Sequence, residues 1–444
     1  MRGCLLRWFR LATRAGNAVD ERFTPAGKWL LSIAGFAGVF SADPDRTHAW
    51  LLFTSTASLL TVSLGASLLW RPRLSARRIA PPRVTEQLAT TYTIALRNEG
   101  TARQAGILAV DRMHEEWPAG ETLDADGDRD DNWFDRRIGF RRWQRQRTRL
   151  LGATPAPQGI DALPAGAEVL LTVPLTPLRR GWLEFERLLL KKPDPLGLCY
   201  SIRVLPLPGR VLSRPRSVPA GQFEFPSRTQ ADTVGATARA RGHGQEFFAL
   251  RDYRPGDALK HIDWRAFARR RQPVVRQYAA TSIQPPLLLL DCSATPGRPQ
   301  DFETMLVVGA SLLAESFARR SSAVALAIVR DLDTPPELTS PEDMLDCLAL
   351  LSPAADDLLD TCAATLARAA GARPVLFLTA NWDRRRAALA RAHAQYPGIT
   401  MIACDSRSDG AGAAQVLVLR DGPRALTALA ERLAALRANA ADAR

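Results

Sequence analysis

Residues 50–70, WLLFTSTASLLTVSLGASLLW, run for 21 positions without a charge. Such a stretch can cross the hydrocarbon core of a bilayer as one helix, with Trp50 and Trp70 at the two interfaces. An earlier apolar stretch, residues 29–40, reaches only 16 residues when extended to 26–41, which is short for a span. It reads either as a second span or as a buried or re-entrant segment. The short polar link at 42–49 favours a transmembrane hairpin over residues 26–71. Arg2, Arg7, Arg10, Arg14, Arg22 and Lys28 precede the first stretch, and Arg71, Arg73, Arg77, Arg78 and Arg83 follow the second. The link carries Asp43, Asp45 and only one arginine, Arg46. By the positive-inside rule both ends are cytoplasmic, and residues 1–25 form a basic cytoplasmic amino terminus. That leading region is long and a second span follows, so a cleavable signal peptide is not expected.

The 444 residues allow two or three domains with ample core. Lysine and arginine number 59 against 46 acidic residues, a net charge of +13. This surplus reads as an arginine-rich, membrane-facing surface. No ordered nucleic-acid motif accompanies it, so no specific nucleic acid is expected as a partner. The six cysteines are scattered, with no C-x-x-C pair. That argues against a zinc site or a disulfide framework and fits a reducing compartment.

Over residues 84–216 the pattern is one of short strands, at 91–97, 106–111, 168–175, 182–190 and 200–205, separated by Pro, Gly and Asn. It predicts an immunoglobulin-like β-sandwich. Asp194-Pro195-Leu196-Gly197 reads as a turn serving as a structural corner. Residues 119–165 interrupt the domain as an insertion. Its acidic part, 124–131, has the look of a calcium loop but places Arg129 where the sharp turn needs Gly, and Asp135 where Glu is usual. A basic run follows, with Arg136, Arg137, Arg141 and Arg142 around Trp143. It reads as a solvated loop, as a contact for anionic lipid headgroups, or, third, as a nucleic-acid contact.

After residue 285 strands alternate with helices. Strands are predicted at 286–290, 323–329, 374–379, 400–403 and 415–419. Helices are predicted at 302–320, 341–351 with 354–370, 383–395 and 423–439. This alternation predicts a doubly wound α/β domain over 285–444. The apolar run 286–290 stops at Asp291-Cys292-Ser293. A buried strand ending so delivers oxygens at its carboxyl end, where open α/β sheets place their sites. Just upstream, within 236–284, lies a charge-dense block with Glu246, Arg251, Tyr253, Arg254, Asp257, Lys260, Asp263, Trp264 and Arg269. It reads as an ion-pair network docking two domains, as a surface for a protein partner, or as an active site. Trp264 and Phe267 beside these charges suggest burial and favour the first.

The block and the strand after it resemble the domain of unknown function 58 family, whose pattern is roughly G-x-G-x-E-F-x-x-L-R-x-Y-x-P-G-D-x-x-R-x-I-D-W, then A-R, then a strand ending D-x-S-x-S. Gly242, Gly244, Glu246, Phe247, Leu250, Arg251, Tyr253, Pro255, Gly256, Asp257, Ile262, Asp263, Trp264, Ala268, Arg269, Asp291 and Ser293 fit it. Upstream, Arg180-Gly181 and the segment Asp194-Pro195-Leu196-Gly197-Leu198 fit as well. Lys260 stands where the family has Arg and cannot make the same planar bidentate pair.

The resemblance implies a membrane-anchored protein with a degenerate von Willebrand factor A-like domain in a bacterial inner membrane. The implied partner is a MoxR-type AAA+ ATPase, and the implied role is adaptor or chaperone-like assembly factor. It also implies a Mg²⁺ site from Asp291, Ser293 and Thr295, with further oxygens from two other loops. The third loop departs from the pattern: Thr379-Ala380-Asn381 lacks the carboxylate, which Asn381 or Asp383 would have to replace. Without the metal, Asp291 and Ser293 would cap the adjoining turn. No P-loop, H-E-x-x-H or G-x-S-x-G occurs, and nothing places the five histidines near a nucleophile such as Cys292. The expectation is a non-enzymatic interaction protein, with a hydrolase on the α/β domain or a polyanion-binding protein as alternatives.

Overall fold

The computed structural model describes residues 2–40, 47–118, 139–219, 247–253, 262–270, 274–278, 285–293, 299–319, 324–331, 336–369, 373–393, 399–404 and 416–418. They divide into two units, Met1–Arg216 with Asp346–Leu350, and Ser217–Leu345 with Leu351–Arg444.

The first unit begins with helices α1 (Arg2–Arg22), α2 (Pro25–Phe40) and α3 (Thr47–Ser67). The basic amino terminus is therefore helical, and Phe9 is buried within it. The break between α1 and α2 is a cap. Thr24 Oγ1 accepts from the Gly27 amide at 3.0 Å, and Pro25 occupies the first helical turn, where no donor is needed. Among the described helices, only α3, over His48–Ser67, is long and apolar enough to cross a membrane. The 16 residues of α2 fall short of the ~20 a span requires. The two helices pack together, with Gly38 against the Phe53 ring. Their outer faces expose Trp29, Phe36, Val39, Trp50, Leu59 and Val62.

Eight strands follow: β1 (Leu74–Ile79), β2 (Arg83–Thr85), β3 (Thr90–Asn98), β4 (Gln104–Met113), β5 (Gln158–Leu163), β6 (Glu168–Leu175), β7 (Gly181–Pro193) and β8 (Tyr200–Arg214). Helix α4 (Phe140–Leu151) lies between β4 and β5. The strands form two sheets, β1-β3-β6 and β2-β8-β7-β4-β5. One core joins them: Tyr92, Ile94, Leu96, Leu171 and Val173 from the first, Ile107, Leu188, Leu190 and Val211 from the second. Alternation along β3 and β6 sends every second side chain into this core. A buried ion pair sits among them. Arg78 donates to both Asp111 oxygens, at 2.6 and 3.0 Å, and the Tyr92 hydroxyl donates to the same carboxylate at 2.7 Å.

Two expectations are corrected. Residues 74–79, assigned to no element from the sequence, form β1, and its buried arginine is Arg78. The insertion drawn at 119–165 is too long. Residues 158–163 are strand β5, paired with β4 and contributing Ile160 and Leu163 to the core, and 140–151 are helix α4, not a loop. The acidic part of the insertion, 124–131, lies outside the described residues.

The second unit contains β9 (Phe247–Asp252), α5 (Trp264–Arg270) and β10 (Val274–Tyr278), in which β9 and β10 pair antiparallel. Then come β11 (Leu287–Asp291), α6 (Pro299–Arg319), β12 (Ala325–Val329), β13 (Glu337–Leu338), α7 (Pro341–Leu350, whose second half is counted with the first unit), α8 (Leu359–Ala369), β14 (Val375–Thr379), α9 (Arg384–His393), β15 (Ile399–Ala403) and β16 (Val416–Val418). They build a six-stranded sheet in the order β13-β12-β11-β14-β15-β16. All neighbours are parallel except β13, an antiparallel edge. Leu287 and Leu289 face a core with Cys362 and Leu366 of α8 and Ala390 of α9. Leu288 and Leu290 point the other way and are equally buried. Burial on both faces explains why β11 is a continuous apolar run. The chain leaves β11 for β12 on one side and later returns to β14 on the other. The carboxyl end of β11 is thus the switch point of the sheet, where such folds form their crevice. The helix expected over 423–439 lies outside the described residues.

Candidate functional site

At that switch point Asp291 ends β11, and its carboxylate is 2% exposed. Register places it beside Val329 and Thr379, the last residues of the flanking strands. Its oxygens have many partners. Oδ1 accepts from the Ser293 amide at 3.1 Å and from the Ser293 hydroxyl. Oδ2 accepts from the Thr379 hydroxyl at 2.9 Å and from Arg386 Nε at 2.8 Å. Ser293 Oγ in turn accepts from the Leu358 amide at 3.0 Å, tying the turn after β11 to the start of α8.

Arg386 is the centre of this arrangement. It stands on the first turn of α9, and its side chain is 0% exposed. Besides Asp291 it reaches Asp357 through Nη2 at 3.0 Å and Asp383 through Nη1 at 3.2 Å. Asp383 also caps α9, accepting from the Arg386 amide at 2.8 Å. One guanidinium therefore joins three carboxylates, one from the end of β11 and two from the segments before α8 and α9. Burial alone would push the Asp291 carboxyl up, but the Arg386 charge and the Ser293 hydrogen bonds hold it below the usual carboxylate range. Burial would likewise lower Arg386, but Asp291, Asp383 and Asp357 hold it above its usual value.

Residues 249–393 match the family described as protein of unknown function DUF58. The DUF58 match contains every member of the Arg386 network. It does not reach the upstream Arg180-Gly181 and Asp194-Pro195-Leu196-Gly197 resemblance. No curated protein matches the chain.

Within the DUF58 segment the expected Mg²⁺ ligands do not fit a metal. Mg²⁺ takes oxygen ligands at close to 2.1 Å in octahedral array. Here a guanidinium already lies on the Asp291 carboxylate, where a second cation would be repelled. Thr295 lies outside the described residues. Asp383, named as a replacement carboxylate, does join the site, but it turns to Arg386. Among the described residues no group of three or more His, Cys, Asp or Glu side chains could hold a metal ion. Asp291 and Ser293 instead cap the turn, as the alternative reading had it. Titration of Mg²⁺ into the full chain in detergent should give no saturable heat in the micromolar range. Saturable binding that disappears in Asp291→Asn would show that Arg386 yields to the metal.

Cys292 and Cys362, within the DUF58 segment, and Cys404 beyond it are buried, and burial pushes the last two well above the ordinary thiol range, helped by the negative charge of Asp291 beside Cys362, which makes them poor nucleophiles; Cys347 is partly exposed. His261, a histidine of the charge-dense block, lies outside the described residues.

The charge-dense block is described in part. Glu246, Arg254, Asp257 and Lys260 lie outside the described residues, and Arg251 is placed as backbone of β9, opposite Val275. Tyr253 is half-buried and Arg269 exposed. Asp263 caps α5: its Oδ1 accepts from the Arg265 and Ala266 amides, both at 3.0 Å. A cap of this kind contributes about 1 kcal/mol, so Asp263 has a local role besides any ion pair. The expectation of burial for the aromatic residues is overturned. Trp264 is 62% exposed and Phe267 37%, set edge to face with ring centroids 6.1 Å apart.

Within the basic run at 136–143, the reading of Trp143 as a lipid contact is corrected. Arg136 and Arg137 lie outside the described residues, while Arg141 and Arg142 begin α4. Trp143 is fully buried, stacked on Phe140 and Trp117 at 6.0 and 5.7 Å and tilted against Phe9 at 5.8 Å. It anchors α4 and cannot touch lipid. Sequence reasoning also missed Arg386 and Asp357. The only available signal was the run Asp383-Arg384-Arg385-Arg386 at a helix start, where aspartate reads as a cap and arginine as solvated.

Proposed function

We propose that the chain is a membrane-anchored, non-enzymatic interaction protein, an adaptor or chaperone-like partner of a MoxR-type AAA+ ATPase. The observation that carries this is the exposed Trp264–Phe267 pair inside the DUF58 match. Exposed tryptophan with arginine beside it is the composition of interface hot spots, and Arg265 and Arg269 flank the pair. The non-enzymatic reading is supported by the crevice itself, since Asp291 is taken up by Arg386 rather than left for catalysis.

Anchoring would be by a hairpin of α2 and α3, with both termini cytoplasmic by the arginine asymmetry around it. Two sheets sharing one core support an immunoglobulin-like sandwich. The parallel sheet with its switch point at β11 supports a doubly wound, von Willebrand factor A-like unit whose metal position has been taken over by an arginine.

The test is a crosslinked pull-down from bacterial inner membranes with the wild-type chain and Trp264→Ala. The wild type should enrich an AAA+ ATPase. The variant should retain its melting temperature but lose affinity by about 30-fold, the effect of removing a hot-spot residue of ~2 kcal/mol. Equal recovery of the ATPase by both would remove Trp264 from the interface. Absence of any AAA+ ATPase with the wild type would overturn the partner assignment.

A further inference from the structure

We infer that α1 is an in-plane helix that rests on an anionic bilayer surface, with Trp8 and Leu11 entering the headgroup layer and Arg7 and Arg14 meeting the phosphates. The inference rests on the membrane-anchored reading above.

One side of α1 is occupied. Phe9 is 1% exposed, its ring 5.1 Å from Phe140 and 5.8 Å from Trp143 of α4. The other side is not. Trp8 is 61% exposed and Leu11 67%, and Arg7, Ala15 and Ala18 lie exposed at helical spacing around them, while Arg14, at the edge of this face and also exposed, carries its guanidinium 5.3 Å from the Trp117 ring. A large indole and a leucine flanked by arginines suit the boundary between acyl chains and headgroups, where tryptophan is favoured and arginine meets phosphate. The same surface is poorly suited to bulk water.

Position names the occupant. Helix α1 runs into α2 through the capped break at Thr24. At its carboxyl end Asp20 bonds Lys28 at 2.5 Å, and Glu21 bonds Arg112 at 2.6 Å. Lys28 is the last charge before the outward apolar surface of α2 begins, at Trp29, which is 74% exposed. The end of α1 is thereby held at the level where the hairpin enters lipid. Charge agrees with position. The only acids of α1, Asp20 and Glu21, are engaged by Lys28 and Arg112, while Arg7 and Arg14 stand exposed with Trp8 and Leu11. The anionic cytoplasmic leaflet is the complementary surface.

The test uses the full chain in nanodiscs. Leu11→Cys and, separately, Phe36→Cys carry an environment-sensitive fluorophore, in a background of Cys4→Ser and Cys347→Ser so that the remaining cysteines are buried ones. The discs contain phosphatidylcholine with brominated acyl chains, with or without phosphatidylglycerol. The probe at 11 should lose about half its emission in anionic discs, as for a group seated roughly 5–10 Å into the boundary. It should lose much less in neutral discs, and adding Arg7→Glu with Arg14→Glu should abolish the difference. The probe at 36 should be quenched in both. Quenching at 36 without quenching at 11 overturns the inference and leaves the anchor standing. Quenching at 11 that is equal in neutral discs overturns the assignment to anionic lipid. Quenching at neither position means that the membrane reading itself has failed.

Discussion

Arg386→Ala is expected to destabilise the α/β unit by about 3–5 kcal/mol, the usual cost of leaving one partner of a buried ion pair uncompensated. The residue left behind is Asp291, 2% exposed and facing Thr379 and Ser293 at the centre of the sheet. Amide hydrogen exchange on β11 and β14 should report the loss locally, which matters in a chain of two units that need not unfold together. Replacing both partners, Asp291→Leu with Arg386→Met, should recover much of the loss, because no charge then remains buried. A loss below about 1 kcal/mol in the single variant would mean that the network behaves as a surface pair. The pH dependence has a definite sign. The Asp291 carboxyl lies below its unfolded value, so its contribution is fully present above the unfolded pKa and is lost as pH falls through the folded one. Wild-type protein should therefore lose stability on the acid side, and the double variant should show a shallower acid limb.

The parts of this chain that were legible are those where one physical demand dominates. Strands β11, β12 and β14 are buried on both faces, so their sequences are apolar runs bounded by turns. Strands β3 and β6 bury one face, so they alternate. Strand β1 was hidden because an inward position carries Arg78, whose burial depends on Asp111 arriving from another strand. Helix α4 was hidden because its arginines outnumber its apolar residues, although Trp143 alone fixes its buried side. The site shows the same limit more sharply. Arg385 and Arg386 are chemically identical neighbours, yet one side chain is 57% exposed and the other 0%. Only the helix phase relative to Asp291 separates them, and no local pattern records it. Trp264 failed in the opposite direction. An aromatic residue among charges is compatible with a docked core or with a partner surface, and composition does not distinguish them.

Asp194→Ala is expected to cost about 4 kcal/mol and to loosen helices α2 and α3 from the β-strands, since each buried donor left unsatisfied costs roughly 1–3 kcal/mol. The turn Asp194-Pro195-Leu196-Gly197 is a corner, as its composition suggests, but it is also a socket. Asp194 is 5% exposed and accepts from the Leu198 and Cys199 amides at 2.8 and 2.7 Å and from the Leu196 amide at 3.1 Å. Its fourth donor is the hydroxyl of Ser63, at 2.8 Å, on α3. The same turn receives α2: Thr24 Oγ1 donates to the Gly197 carbonyl at 2.6 Å, and a Cβ at Gly27 would fall 1.9 Å from the Leu198 oxygen. Helices α2 and α3 are thus both fastened to one short loop. Burial would raise the Asp194 carboxyl, but the hydrogen bonds to the Cys199 amide and the Ser63 hydroxyl hold it below its ordinary value, so the anion is the form that the socket requires. Gly27→Ala should mimic Asp194→Ala by forcing α2 off the turn, whereas Ser63→Ala removes one bond and should cost only about 1 kcal/mol. The measurement is melting in detergent together with tryptic cleavage at Arg22 and Lys28, which should accelerate in the first two variants. Unchanged melting and cleavage in Asp194→Ala would mean that α2 and α3 are held by their apolar contacts alone. The turn would then be a corner and nothing more.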